Sequence, residues 1–123
     1  MEDLYPYFRS VLDQDEAPVV ICNLNNDIIY MNPAAIEHYS DDSGEKLIGR
    51  CLFDCHKHAD VEKIVKVVDW FSKSPDNNIV HTMHSDRRDV YMVALRDEDG
   101  RLIGYYEKHE SRVPDERPAY VMG

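Results

Sequence analysis

Residues 25–36, Asn-Asn-Asp-Ile-Ile-Tyr-Met-Asn-Pro-Ala-Ala-Ile, constrain the fold more than any other stretch of the chain. Ahead of them, Pro18 to Leu24 is an apolar run rich in the β-branched residues Val19, Val20 and Ile21. Three polar turn residues and a second short apolar run follow, which predicts two strands joined by a tight turn. Asn32 then offers a side-chain oxygen at the N-cap position, and Pro33 suits the first helical turn. The chain is therefore expected to make a hairpin and pass directly into a helix.

The length, 123 residues, fits one domain with a sizeable core. Twenty-four acidic against 14 basic residues give a formal charge of −10, which repels nucleic-acid phosphates and anionic lipid surfaces, so neither nucleic acid nor membrane is an expected partner. No apolar run reaches the roughly 18 residues of a membrane span, and the acidic N-terminus lacks the basic start of a signal peptide. With three cysteines, an odd number in a chain that needs no staple, a reducing cytoplasmic setting with free thiols is expected.

Leu4, Tyr5, Phe8, Val11 and Leu12 recur at helical spacing and predict an N-terminal amphipathic helix within residues 1–16. Its stripe can lie on its own domain or on a partner's identical stripe. After a helix over Pro33 to Ser40 and a polar loop at Asp41 to Gly44, Glu45 to Gly49 reads as one helical turn closed by glycine. Cys51 to His58 is irregular. The longest helix runs from Ala59 to Ser74, with Val61, Ile64, Val65, Val68 and Phe71 expected on its buried face. Ile79 to His84, Val90 to Leu95 and Leu102 to His109 then read as an antiparallel meander with turns at residues 85–89 and 97–100. The tail, residues 113–123, has little to bury.

This order of elements, with Asn25 to Ala34, then Leu47-Ile48-Gly49-Arg50, then Arg96-Asp97-Glu98-Asp99-Gly100-Arg101-Leu102-Ile103-Gly104, resembles a PAS domain over residues 17–112. The resemblance implies an α+β fold, with a five-stranded antiparallel sheet in the order 2-1-5-4-3 and helices on one face. It also implies a sensory or interaction module, usually without catalysis, that often holds a small molecule between helices and sheet. Such domains commonly pair through the sheet and an N-terminal helix, so a homodimer and an unidentified signalling partner are expected here.

The ligand has to be argued from this chain's own residues. Light-sensing members carry Asn-Cys-Arg-Phe-Leu-Gln after their Gly-Arg, whereas here Gly49-Arg50 leads to Cys51-Leu52-Phe53-Asp54-Cys55-His56, which disfavours flavin. Haem-binding relatives use a histidine of the long helix. None lies within residues 59–74, and His56 and His58, just ahead of the helix, keep haem open as an alternative. Cys51, Cys55, His56 and His58 give only half of a structural zinc pattern, so no metal site is assigned. Their plainer reading is Cys55 as a small buried thiol with surface histidines beside it. No nucleophile, base and orienting group fall together, and no reaction is assigned. The candidate ligand cleft comprises Cys55, His56, Met83, Met92, Ala94 and Tyr106, or their neighbours. If these residues instead fill the core, the chain is an interaction module that works through the other sheet face.

Overall fold

The hairpin closes through one asparagine. Asn23 Oδ1 accepts the backbone N–H groups of Asn25 and Asp27 at 2.9 and 3.0 Å, and Asn26 takes a left-handed φ of 64°, which asparagine tolerates better than most residues. The computed structural model describes residues 1–55 and 57–123, without the side chain of Cys55. The turn joins β1 (Val19–Asn23) to β2 (Ile28–Met31), and β2 runs into α2 (Pro33–His38).

Asn32 governs that junction. Fully buried, its Oδ1 accepts from Ala35 N–H at 2.9 Å as the N-cap and from Val19 N–H at 2.9 Å. Its Nδ2 donates to the Leu12 and Ala17 carbonyls at 3.1 and 2.9 Å. One side chain thus ties α2 to the start of β1 and to the end of α1 (Tyr5–Gln14).

Short 3₁₀ turns at Ser40–Asp42, Gly44–Leu47 and Leu52–Cys55 carry the chain across the sheet to α3 (His58–Lys73). The meander β3 (Ile79–His84), β4 (Arg88–Arg96) and β5 (Leu102–Ser111) completes the sheet. All neighbours pair antiparallel in the order β2-β1-β5-β4-β3, the expected α+β arrangement. Gly104 permits the close approach of β5 to β1, since a Cβ there would meet the Cys22 carbonyl oxygen at 2.3 Å.

On one sheet face Val20, Cys22, Met92, Ala94 and Tyr105 meet Ala35, Leu47, Leu52, Ile64, Val67 and Phe71. Burying a side chain such as Phe71 contributes about 1.5–3 kcal/mol. Arg96 fixes the far end of α3, donating to the carbonyls of Phe71, Ser74 and Asn77 at 2.8–3.1 Å and to Asn78 Oδ1 at 2.8 Å. A cation there also suits the negative end of the helix dipole.

The expected buried face of α3 needs one correction. Val65 is 50% exposed, whereas Ile64, Val67 and Phe71 are buried and Val68 packs beside them. Adjacent apolar pairs at 64–65 and 67–68 make the apolar arc wider than the contact, and the 3.6-residue turn brings positions 64, 67 and 71 together.

Helix α1 lies on the opposite sheet face, over Ile21, Ile29 and Tyr30 at the β1–β2 edge. Tyr30 Oη donates to Asp13 Oδ1 at 2.5 Å, and the Arg9 guanidinium stands 4.9 Å from the centre of the Tyr30 ring. Among the described residues no helix is long and apolar enough to cross a membrane.

Candidate functional site

Strand parity decides what faces the helices. Tyr105 pairs with Cys22 and Ala94, and Glu107 with Val20 and Met92, all on the helix side of the sheet. Period two then brings His109, beside Val90, to that face as well. The central strand therefore sends a phenol, a carboxylate and an imidazole into the space beneath the helices.

Two hollows occupy that space. The inner one, about 50 Å³, has apolar walls that include Val20, Cys22, Ile28 and Leu52. It has room for a few waters, each needing roughly 10–15 Å³ on this measure. The outer one, about 330 Å³, opens between α3 and strands β3 to β5 over Ile64, Val90 and Met92, with Lys63, Arg88 and His109 around it. Its size falls within the roughly 300–1,000 Å³ of small-molecule pockets. Tyr39 and Glu107 line both hollows.

The polar groups between the hollows form a network. His109 Nε2 lies 3.1 Å from Glu107 Oε1, and because a carboxylate only accepts, that nitrogen carries the hydrogen. Tyr39 Oη is 3.1 Å from the same nitrogen and donates to Glu107 Oε1 at 3.4 Å. Only 14% of the Glu107 side chain and 10% of that of His109 remain exposed. Burial, reinforced by Glu107, pushes the Tyr39 hydroxyl above its ordinary range. The His38 ring, 4.7 Å from that of His109, is pushed down by burial and by the neighbouring His109 and Arg88. His109 Nδ1 is buried with no hydrogen-bond partner among the described residues.

Deeper in, Tyr105 Oη donates to Asn26 Oδ1 at 2.8 Å, which ties the central strand to the hairpin turn. Burial raises the Cys22 thiol to about 12, so it stays protonated and inert. This arrangement can hold and orient a small molecule with an apolar body and a polar end.

The residues expected from sequence fall in different places. Met92 and Ala94 are buried on the helix-facing side, with Met92 in the wall of the outer hollow. Met83, 41% exposed, stands at the rim of that hollow. Tyr106 is corrected: it pairs with Ile21 and Val93 on the opposite face, and its neighbour Tyr105 takes the inward position. The side chain of Cys55 and the whole of His56 lie outside the described residues.

His58, considered as an iron ligand, is 88% exposed and sits 3.1 Å from Glu62 at the start of α3. It lines neither hollow. Among the described residues no three potential metal-binding side chains cluster.

Sequence reasoning missed Tyr39, Arg88, Tyr105, Glu107 and His109. The signal available was alternation: Tyr105, Glu107 and His109 share one parity, Tyr106, Lys108 and Glu110 the other.

No protein-family model matches the sequence, and no curated protein matches it. Solved structures do resemble the fold. The C-terminal domain of a Streptococcus mutans protein aligns with a TM-score of 0.67 at 23% identity, over 87% of this chain and 84% of that one. The PAS domain of a Colwellia psychrerythraea protein aligns with a TM-score of 0.65 at 19% identity, over 89% and 97%. The Aer2 receptor of Vibrio cholerae, a dual PAS-heme oxygen sensor, aligns with a TM-score of 0.56 at 17% identity, over 79% and 95%. The chain has the PAS fold.

Proposed function

We propose that this chain is a sensory module that holds a small molecule between its helices and sheet and signals as a homodimer or through a partner chain. The observation that carries the reading is the pair of hollows divided by Tyr39 and Glu107. A domain built only for contact has no need of the buried His109 Nδ1, a polar atom on the inner face of its central strand with no hydrogen-bond partner among the described residues, because burying it opposes stability. A ligand that touches this network changes the interactions of β5, and β5 lies at the centre of the sheet.

The output surface in this reading is the opposite sheet face with α1. Tyr5, Phe8 and Val11 are 64%, 61% and 69% exposed, and Ile79 and Ile103 add apolar surface on the sheet. A two-fold pair would use the same patch on both subunits. Haem is not part of the proposal, nor is catalysis.

Retention of small molecules tests it. The purified protein is equilibrated with a cell extract below about 500 Da, washed, denatured and analysed by mass spectrometry beside a Thr82→Trp variant, whose indole fills the outer hollow from the edge strand. At least one compound retained by the native chain and lost from the variant is expected. Identical retained sets would contradict the proposal.

A further inference from the structure

Arg88 is out of keeping with the electrostatics of this chain. Carboxylates outnumber cations 24 to 14, and the other arginines of the described residues are either paired or exposed. Arg9 meets Asp13, Arg112 meets Asp89, Arg117 meets Glu16 and Asp115, and Arg96 is caged by carbonyl oxygens. Arg50, Arg87 and Arg101 are exposed. Arg88 is half-buried, and its guanidinium has no ion pair or hydrogen bond among the described residues. Its charge falls on His38 and Tyr39, the side chains packed around His109. A partly desolvated guanidinium without an anion opposes folding, and the same group beside a hollow is poised to take an anion.

We infer that the outer hollow takes a small carboxylic acid, its carboxylate on Arg88 and its apolar body over Ile64, Val90 and Met92. This rests on the proposed function and names the class of ligand for that site. The guanidinium fork matches a planar carboxylate in two parallel hydrogen bonds. Asp60 and Glu107, which line the same hollow, oppose a doubly charged phosphate more than a singly charged acid. The volume of about 330 Å³ accommodates a monocyclic or short-chain acid, whereas the apolar inner hollow of about 50 Å³ admits only water or a methyl-sized tip. His109 Nδ1, buried in this wall with no hydrogen-bond partner among the described residues, belongs to the same network.

The test uses benzoate and hexanoate, their uncharged amides, and benzylamine and hexylamine, each titrated into ¹⁵N-labelled protein. Both acids should shift the amides of Ile64, Val90 and Met92 together with the Arg88 Nε–H signal, and should bind about tenfold or more tightly than their amides. Arg88→Met should bring the acids down to the level of the amides while its melting curve stays cooperative. If Arg88→Met does not fold, Arg88→Lys keeps the charge without the fork and should still weaken both acids. Amides or amines that shift the same residues at least as strongly as the acids would overturn the carboxylate assignment and leave the ligand cleft standing. If no probe of any charge perturbs these residues, both the assignment and the cleft reading fail.

Discussion

Asn32 shows how much one residue settles here. Its amide serves backbone groups of α2, of β1 and of the segment leaving α1, the first two buried and the last partly buried. Asn32→Ala removes the N-cap, leaves the buried Val19 and Ala35 N–H groups without their acceptor and takes a donor from the partly buried Ala17 carbonyl, so a loss of about 2–4 kcal/mol is expected in urea unfolding. A loss below about 1 kcal/mol, the scale of a simple cap, would show that water replaces the other bonds. The capping role was legible from Asn-Pro-Ala-Ala, because a cap is a local signal. The bonds to Leu12 and Ala17 were not, since they depend on where a distant segment returns. The same limit explains Tyr106: along Ile103-Gly104-Tyr105-Tyr106 the apolar residues occupy both parities, and only pairing with Cys22 turns Tyr105 inward. Glu107 and His109 gave no sign of burial, because charged residues on a strand ordinarily read as the solvent side.

At the scale of elements, helices and strands were legible with their order, because periodicity and turn residues repeat over many positions. Exact faces were less so. On α3, Val67→Asp buries an unpaired charge and should cost several kcal/mol, whereas Val65→Asp, at a half-exposed site, should cost less than about 1 kcal/mol. Equal thermal shifts for the two variants would contradict the observed helix rotation. The docking of α1 should depend on pH in two directions. The Tyr30 hydroxyl, with Arg9, holds Asp13 below its ordinary 3.8, so this part of the contact is present above that value and is lost as pH falls through the lower folded value. Burial, with Asp13, raises Tyr30 from 10.0 to about 12, so its part is present below 10.0 and is lost as pH rises through about 12. The amide resonances of α1 should therefore hold steady between roughly pH 4 and 10 and move beyond both limits, and Tyr30→Phe should remove the alkaline change. A Tyr30 that titrates near 10.0 would show that α1 is not docked this way.

At the scale of the whole molecule, one sheet face is packed beneath helices and much of the other is open. The exposed stripe of α1 and the open face from β5 to β3 together form the apolar surface a second copy would cover. In sedimentation at tens of micromolar, on the scale of ordinary weak dimers, the full chain is expected as a dimer and a chain lacking residues 1–15 as a folded monomer. A monomeric full chain would remove the homodimer from the account.

The claim that the helix-facing cleft is the working site is tested most directly by its methionines. The chain has five, and they report on different places. Met31 lines the inner hollow, Met92 the outer one and Met83 its rim, while Met1 and Met122 lie exposed near the two termini. With ¹³C-labelled methionine methyls, a small-molecule fraction of cell extract is added to the protein. Met92 and Met83 should shift, Met31 should follow through the shared wall of Tyr39 and Glu107, and Met1 and Met122 should stay where they are. Static signals from Met31, Met83 and Met92, or shifts confined to Met1 and Met122, would contradict the account.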